Sequence, residues 1–234
     1  MPVIRYLKEI GVEKINFAGG EPTLYPHLKE VLTIVKDEGF TTSIVSNGSI
    51  MTESWFEEME GLIDWVGLSI DSSDEIDEIA IGRHTDGLNH LDNVVYVADI
   101  ARSKGMKVKL NITVVRRSFN KDFRNIIGRI NPDRVKAFRA LTIENANDDI
   151  PDTWSITDEQ FAEFCRLHED VPNIVFEDNE DMVGSYLMFD PVGRWMVNKD
   201  YKKCYLSLGE LVKDGIESNV DLDKYYGRDA VYEW

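Results

Sequence analysis

The chain has 234 residues, a formal net charge of −17, 43% hydrophobic residues and five tryptophans. That length predicts one domain, or one with a C-terminal extension, burying roughly 70% of its unfolded surface. The acidity argues against nucleic-acid polymers and anionic membranes as partners, because both need a basic face, while a local cluster of Lys and Arg can still hold a small anion. No stretch is long and apolar enough to span a membrane, and no signal peptide is visible at Met1. Two cysteines, Cys165 and Cys204, do not make a disulfide framework, and a cytoplasmic location fits.

Ile4, Leu7 and Ile10 sit at helical spacing and predict a helix over 2–10, stopped by Gly11. A strand follows through Ile15 and Phe17, then a helix over 27–38 that ends at Gly39. A second strand, 42–45, runs into Ser46-Asn47-Gly48-Ser49. Thr52 caps a helix through Met59 and Leu62. A third strand, 65–70, ends in Asp71-Ser72, and a short helix reaches Ile81-Gly82-Arg83. A long helix over 88–103 leads to a fourth strand, 107–115. A helix over 119–130 stops before Asn131-Pro132, and a fifth strand covers 135–141. Beyond Leu141 come an acidic loop with Asn147-Asp148-Asp149, a helix opened by the capping box Thr157-x-x-Gln160, and one more strand over 173–176. Segments 185–189 and 194–197 flank Pro191-Val192-Gly193 as a hairpin, and the tail from Leu206 holds a short helix. Strand and helix alternate with short connections, which predicts a parallel α/β sheet or barrel. Ligands collect at the C-terminal strand ends of such folds. The strand ends here carry Gly19-Gly20-Glu21, Ser46-Asn47-Gly48, Ser69 with Asp71, and Asn111.

The most informative stretch is Lys14-Ile15-Asn16-Phe17-Ala18-Gly19-Gly20-Glu21-Pro22. A strand runs into two glycines that permit positive φ and close approach of a ligand. A carboxylate suited to an ammonium group comes next, and then a proline that fixes the turn. Gly-Gly-Glu-Pro after a strand resembles the motif with which radical S-adenosylmethionine (SAM) enzymes hold the methionine ammonium. Further stretches follow in order: Ile44-Val45-Ser46-Asn47-Gly48-Ser49, Ser69-Ile70-Asp71-Ser72, Ile81-Gly82-Arg83, Lys107-Val108-Lys109-Leu110-Asn111, Arg134-Val135-Lys136-Ala137-Phe138, Ser185-Tyr186-Leu187 and Trp234. With them the chain resembles the viperin-like branch of that superfamily over essentially its whole length.

The resemblance implies a partial (β/α)6 barrel lacking its first strand, over 1–141, completed and covered by a C-terminal extension over 142–234. It implies SAM and a [4Fe–4S] cluster as cofactors and a ribonucleoside triphosphate as substrate. The product would be the 3′-deoxy-3′,4′-didehydro nucleotide, used in antiviral defence, with a small electron donor as partner. It also implies that Gly19, Gly20 and Glu21 hold the methionine amine, that Ser69 and Arg83 hold its carboxylate, and that Ser46 and Asn47 lie near its ribose. Lys14, Lys109, Arg134 and Lys136, with Lys203, Asn16 and Asn111, would hold the nucleotide, and Tyr186 would act beside the substrate ribose.

The residues carry part of this alone. Lys109 alternates with Val108 and Leu110 and so points into a barrel interior, where a charge needs an anionic partner; Arg134 and Lys136 share one strand face. Read without the family, Asn47-Gly48 is a common turn, Arg83 a surface residue and Tyr186 a core aromatic. His27, His84, His90 and His168 show no metal spacing. One departure stands out. The superfamily holds its cluster with Cys-x-x-x-Cys-x-x-Cys, and this sequence has no such run. The expectation is therefore an N-terminally shortened enzyme, inactive as it stands, with an exposed sheet edge. The alternative is a cluster-less, non-catalytic nucleotide- or SAM-binding protein of the same fold.

Overall fold

The computed structural model describes residues 2–83, 87–144 and 154–227. Six parallel strands form one sheet whose spatial order follows the chain: β1 (Lys14–Phe17), β2 (Thr41–Ser46), β3 (Trp65–Ile70), β4 (Lys107–Val114), β5 (Arg134–Arg139) and β6 (Ile174–Glu177). Helices connect them: α1 (Pro2–Glu9) precedes β1, and α2 (Leu28–Asp37), α3 (Glu53–Glu58), α4 (Glu75–Ile81), α5 (His90–Ser103), α6 (Arg124–Ile130) and α7 (Asp158–His168) fill the crossovers. The expected partial α/β barrel is what forms, with β1 at one edge.

Period-two alternation sorts the strand residues. Val66, Leu68 and Ile70 of β3, and Val108, Leu110, Ile112 and Val114 of β4, enter the main core beneath the helices. They meet Leu32 of α2, Phe56 of α3, Val94 and Val97 of α5, and Phe164 of α7. Burial of such a side chain stabilises by roughly 1.5–3 kcal/mol. The alternate residues face the other way. Register sets Gly67, Lys109 and Arg134 side by side, and Ser69, Asn111 and Lys136 one step further on. This second face is polar and cationic.

After β6 come α8 (Asn179–Met182) and a small antiparallel sheet, β7 (Met188–Phe189), β8 (Trp195–Lys199) and β9 (Lys202–Leu206), followed by α9 (Leu208–Asp214) and α10 (Leu222–Gly227). Trp195, Val197, Leu211 and Val220 form its own apolar cluster.

Three expectations need correction. The helix read over 119–130 shortens to Arg124–Ile130. Ser118 and Phe119 instead close turns back to the Val115 carbonyl, and the Phe123 N–H donates to buried His168 Nε2 at 3.0 Å. The hairpin strand read over 185–189 shrinks to Met188–Phe189, so Tyr186 lies before it. The third strand, β9, is missing from the sequence reading. Its turn uses Asp200 and Tyr201 at φ 48° and 60°, left-handed residues without the glycine that normally marks such a turn. His84, the Asn147-Asp148-Asp149 run and Trp234 lie outside the described residues.

Candidate active site

The C-terminal end of β1 leads into Gly19 and Gly20, at φ 95° and 54°. A Cβ on either would meet nothing within 4 Å, so the two glycines are required by backbone conformation and leave open space above them. Glu21 then reaches across to β2. Its Oε1 accepts from the Ser46 hydroxyl at 2.8 Å and the Thr23 hydroxyl at 2.6 Å, and its Oε2 accepts from the Asn47 N–H at 2.9 Å. The carboxylate expected to meet an ammonium group is thus also a clasp between two strand ends. Asn47 Oδ1 accepts from the Ser49 N–H at 2.8 Å, the side-chain turn that an Asn-Gly pair favours.

At the end of β3, Arg83 forks onto Asp71, with Nε donating to Oδ2 at 2.6 Å and Nη2 to Oδ1 at 3.1 Å. Asp71 is buried, and its Oδ1 also accepts from the Thr113 N–H at 3.2 Å. The two-pronged contact of Arg83 is made here to a side chain of the protein. Ser69 stands beside Asn111 in the register. Its carbonyl oxygen lies 3.0 Å from His90 Nε2. Behind this pair Glu78 is completely buried. Burial and the nearby Asp71 charge push its carboxyl up to about 8.

The cationic face is built on β1, β4 and β5. Lys14 lies with its ammonium 4.4 Å from the centre of the buried Trp65 ring, and Lys107 approaches the same ring at 5.2 Å. Burial, together with the like charges of Lys109, Arg134 and Lys107, lowers Lys14 to about 7. Four cations from three strands therefore share one field, over an aromatic floor. Asn16 is exposed on the same face of β1, and Asn111 is buried with its amide over Gly67, where any Cβ would come within 3.3 Å of it.

Lys136 takes a different place. Its Nζ lies 2.6 Å from Glu177 Oε1 and donates to the Tyr186 hydroxyl at 2.6 Å, while the Tyr186 O–H donates to Glu177 Oε2 at 2.5 Å. Glu177, at the end of β6, is buried. The structure thus brings Tyr186 and Lys136 together around a carboxylate that the sequence reading did not single out. Lys203 stands apart, exposed on β9 opposite Asn198.

Sequence reasoning also passed over Lys107 and Trp65. The signal existed: Lys107 shares the period-two face of Lys109, and Trp65 that of Gly67 and Ser69. Glu177 gave no such signal, because its role depends on a tyrosine from another segment.

The donor set does not fit an iron–sulfur cluster. Among the described residues no three or more His, Cys, Asp or Glu side chains gather as metal ligands. Cys165 is half-buried on α7, its thiol pushed up to about 11 by burial, and Cys204 is exposed on β9. Thiolates are the cluster's usual ligands, and these two cysteines sit on separate elements of the fold.

The radical SAM superfamily matches residues 2–130. An S-adenosylmethionine-dependent nucleotide dehydratase of Thermoplasmatales archaeon (strain ISO4-H5) is 63% identical over 231 residues, covering 99% of this chain and 83% of that protein. A protein of the same name from Lacinutrix mariniflava is 37% identical, covering all of this chain and half of its own length. Among solved structures, histidine-tagged anSMEcpe with bound AdoMet superposes with a TM-score of 0.64 at 16% identity, over 95% of this chain and 69% of that one. That likeness supports the curled parallel sheet and no more. With a superfamily match over more than half its length and a relative this similar over nearly all of it, the chain belongs to the radical SAM superfamily and, within it, to the viperin-like S-adenosylmethionine-dependent nucleotide dehydratases.

Proposed function

We propose that the protein binds SAM at the ends of β1 to β3 and a ribonucleoside triphosphate against the cationic face of β1, β4 and β5, as a dehydratase forming the 3′-deoxy-3′,4′-didehydro nucleotide. The observation that carries the substrate class is the convergence of Lys14, Lys107, Lys109 and Arg134, which adds to burial in lowering Lys14 to about 7. Several fixed cations converging from different strands suit a polyanion whose charge is spread over several phosphates. In this reading Gly19 and Gly20 let the methionine end approach the backbone, and Ser69 and Arg83 orient its carboxylate. Lys136, Tyr186 and Glu177 stand at the ribose side, where three hydrogen-bonded polar groups can orient sugar hydroxyls and hold a proton. Bound SAM would supply the 5′-deoxyadenosyl group, released as a radical together with methionine on receipt of one electron from an external donor. Because the donor set of the described residues does not fit the cluster, no step is assigned through it. A small electron donor and a cytoplasmic setting belong to the same proposal.

Titration with nucleoside triphosphates tests the cationic face. Lys109→Ala is expected to weaken binding about tenfold or more, as loss of a charge-assisted contact does, with the affinity for SAM unchanged. Triphosphate affinity left at the wild-type value in both Lys109→Ala and Arg134→Ala would remove the phosphate assignment.

A second reading has its own observation, the absence of a cluster donor set among the described residues: a protein of this fold that binds SAM or nucleotide without turnover. Release of 5′-deoxyadenosine after iron–sulfur reconstitution and chemical reduction decides between the two. Turnover supports the dehydratase; tight binding of both ligands without it supports the binding protein.

A further inference from the structure

A completely buried carboxyl is costly unless it organises something. Glu78 sits on α4, bonds to two other places and faces a third. Its Oε1 accepts from the Asp71 N–H at 2.7 Å and from the Ser72 N–H, fixing the turn that ends β3. Its own carbonyl oxygen accepts from the Arg83 N–H at 2.9 Å, where left-handed Gly82 closes the helix. Its Oε2 is buried without a hydrogen-bond partner among the described residues and faces His90 Nε2 at 3.3 Å. His90 Nε2 is in turn 3.0 Å from the Ser69 carbonyl oxygen. Nearby Glu75 fastens the start of α5, accepting from the His90 N–H at 2.8 Å and the Leu91 N–H at 3.1 Å. The helix between β3 and α5 therefore carries two glutamates that tie it to both neighbours.

We propose that Glu78 is a positioning residue for the methionine carboxylate of SAM, acting through Asp71 and Arg83 on one side and through His90 and Ser69 on the other. The inference rests on the reading that Ser69 and Arg83 hold that carboxylate. Glu78 is completely buried and presents no surface to a ligand. It sets the peptide at Asp71, whose carboxylate aims the Arg83 guanidinium, and it sets the imidazole that holds the Ser69 peptide plane. One buried group thus fixes both predicted carboxylate contacts relative to each other.

Glu78→Gln separates these functions. The glutamine oxygen still accepts from the Asp71 and Ser72 N–H groups, so the turn and the fold are kept. With the comparison made above pH 8, where the Glu78 carboxyl is ionised, the glutamine's amide hydrogens replace an acceptor facing His90 Nε2, which pushes the imidazole off the Ser69 carbonyl. The test compares binding of SAM with binding of decarboxylated SAM, which lacks the carboxylate, and of a nucleoside triphosphate. The wild-type protein is expected to prefer SAM over its decarboxylated form. Glu78→Gln is expected to weaken SAM about tenfold while leaving decarboxylated SAM and triphosphate binding unchanged. His90→Phe, which leaves the Glu78 turn contacts intact, is expected to produce the same selective loss. Equal weakening of SAM and decarboxylated SAM in both variants assigns Glu78 a general structural role and overturns the proposal. So does unchanged SAM affinity in both. If instead the wild-type protein binds SAM and decarboxylated SAM alike, the Ser69–Arg83 carboxylate reading itself fails, an outcome distinct from the failure of Glu78.

Discussion

Lys14 shows how one residue reports on a whole face. It packs on Trp65 and shares its surroundings with Lys109, Arg134 and Lys107, and burial together with those charges lowers it to about 7 from the usual 10.5. Near neutral pH a fraction of the lysine has therefore already lost its proton. A bound polyanion restores the charge, so binding is coupled to proton uptake above pH 7. Triphosphate affinity is expected to fall as pH rises from about 7 to 9. Calorimetry in buffers of different ionisation heat should show proton uptake that disappears in Lys14→Met. The stability consequence has the opposite slope. Between the folded value near 7 and the unfolded value near 10.5 the unfolded chain binds more protons, so this lysine makes the unliganded fold more stable as pH rises through that window. Unfolding of Lys14→Met measured across it should lack that component.

At the scale of elements, the β1–α2 connection is the part most tightly written into the sequence. Gly19 and Gly20 take left-handed φ with open space around them, and Glu21 clasps β2 through Ser46 and Asn47. Only backbone strain opposes a side chain there. Gly20→Ala is expected to cost about 1–2 kcal/mol in urea unfolding, and Gly20→Asn distinctly less, because asparagine tolerates that region. Equal costs would mean that something other than φ selects glycine. Glu21 illustrates a limit of reading by motif. Its expected ligand role and its observed clasp use the same carboxylate, and only the distances to Ser46 and Asn47 expose the second.

Across the described residues, three apolar clusters differ greatly in size, the smallest built on Leu7, Val35 and Phe40. The main one spans β2 to β5 and the helices over them, while the C-terminal one rests on Trp195, Val197, Leu211 and Val220. β9 is exposed along nearly its whole length. Stability is therefore not uniform. Amide exchange is expected to be slowest in β3 and β4 and to be faster in β9 and in the edge strand β1. Protection of β9 equal to that of β4 would show that the main and the C-terminal cluster open as one unit. The small sheet carries Lys203, so the same measurement bears on whether that lysine belongs to a mobile cover or to a fixed wall.

The sequence by itself determined the parallel α/β architecture, because apolar residues at period two and period 3.6 record which face of each element meets the core. Much of the cationic face was legible as well, because Lys109, Arg134 and Lys136 fall on strand positions opposite that core. The glycine turn was legible for a local reason too, since positive φ selects residue type directly. What only the tertiary structure decided are pairings between distant segments. Lys136 meets Glu177 and Tyr186, Arg83 meets Asp71, and Glu78 meets His90. The turn at Asp200-Tyr201 belongs with them, held in a left-handed conformation by the β8–β9 ladder on either side. In each case the partner comes from another element or the conformation is imposed by pairing. No periodicity along the chain encodes a contact that exists only once the sheet has curled.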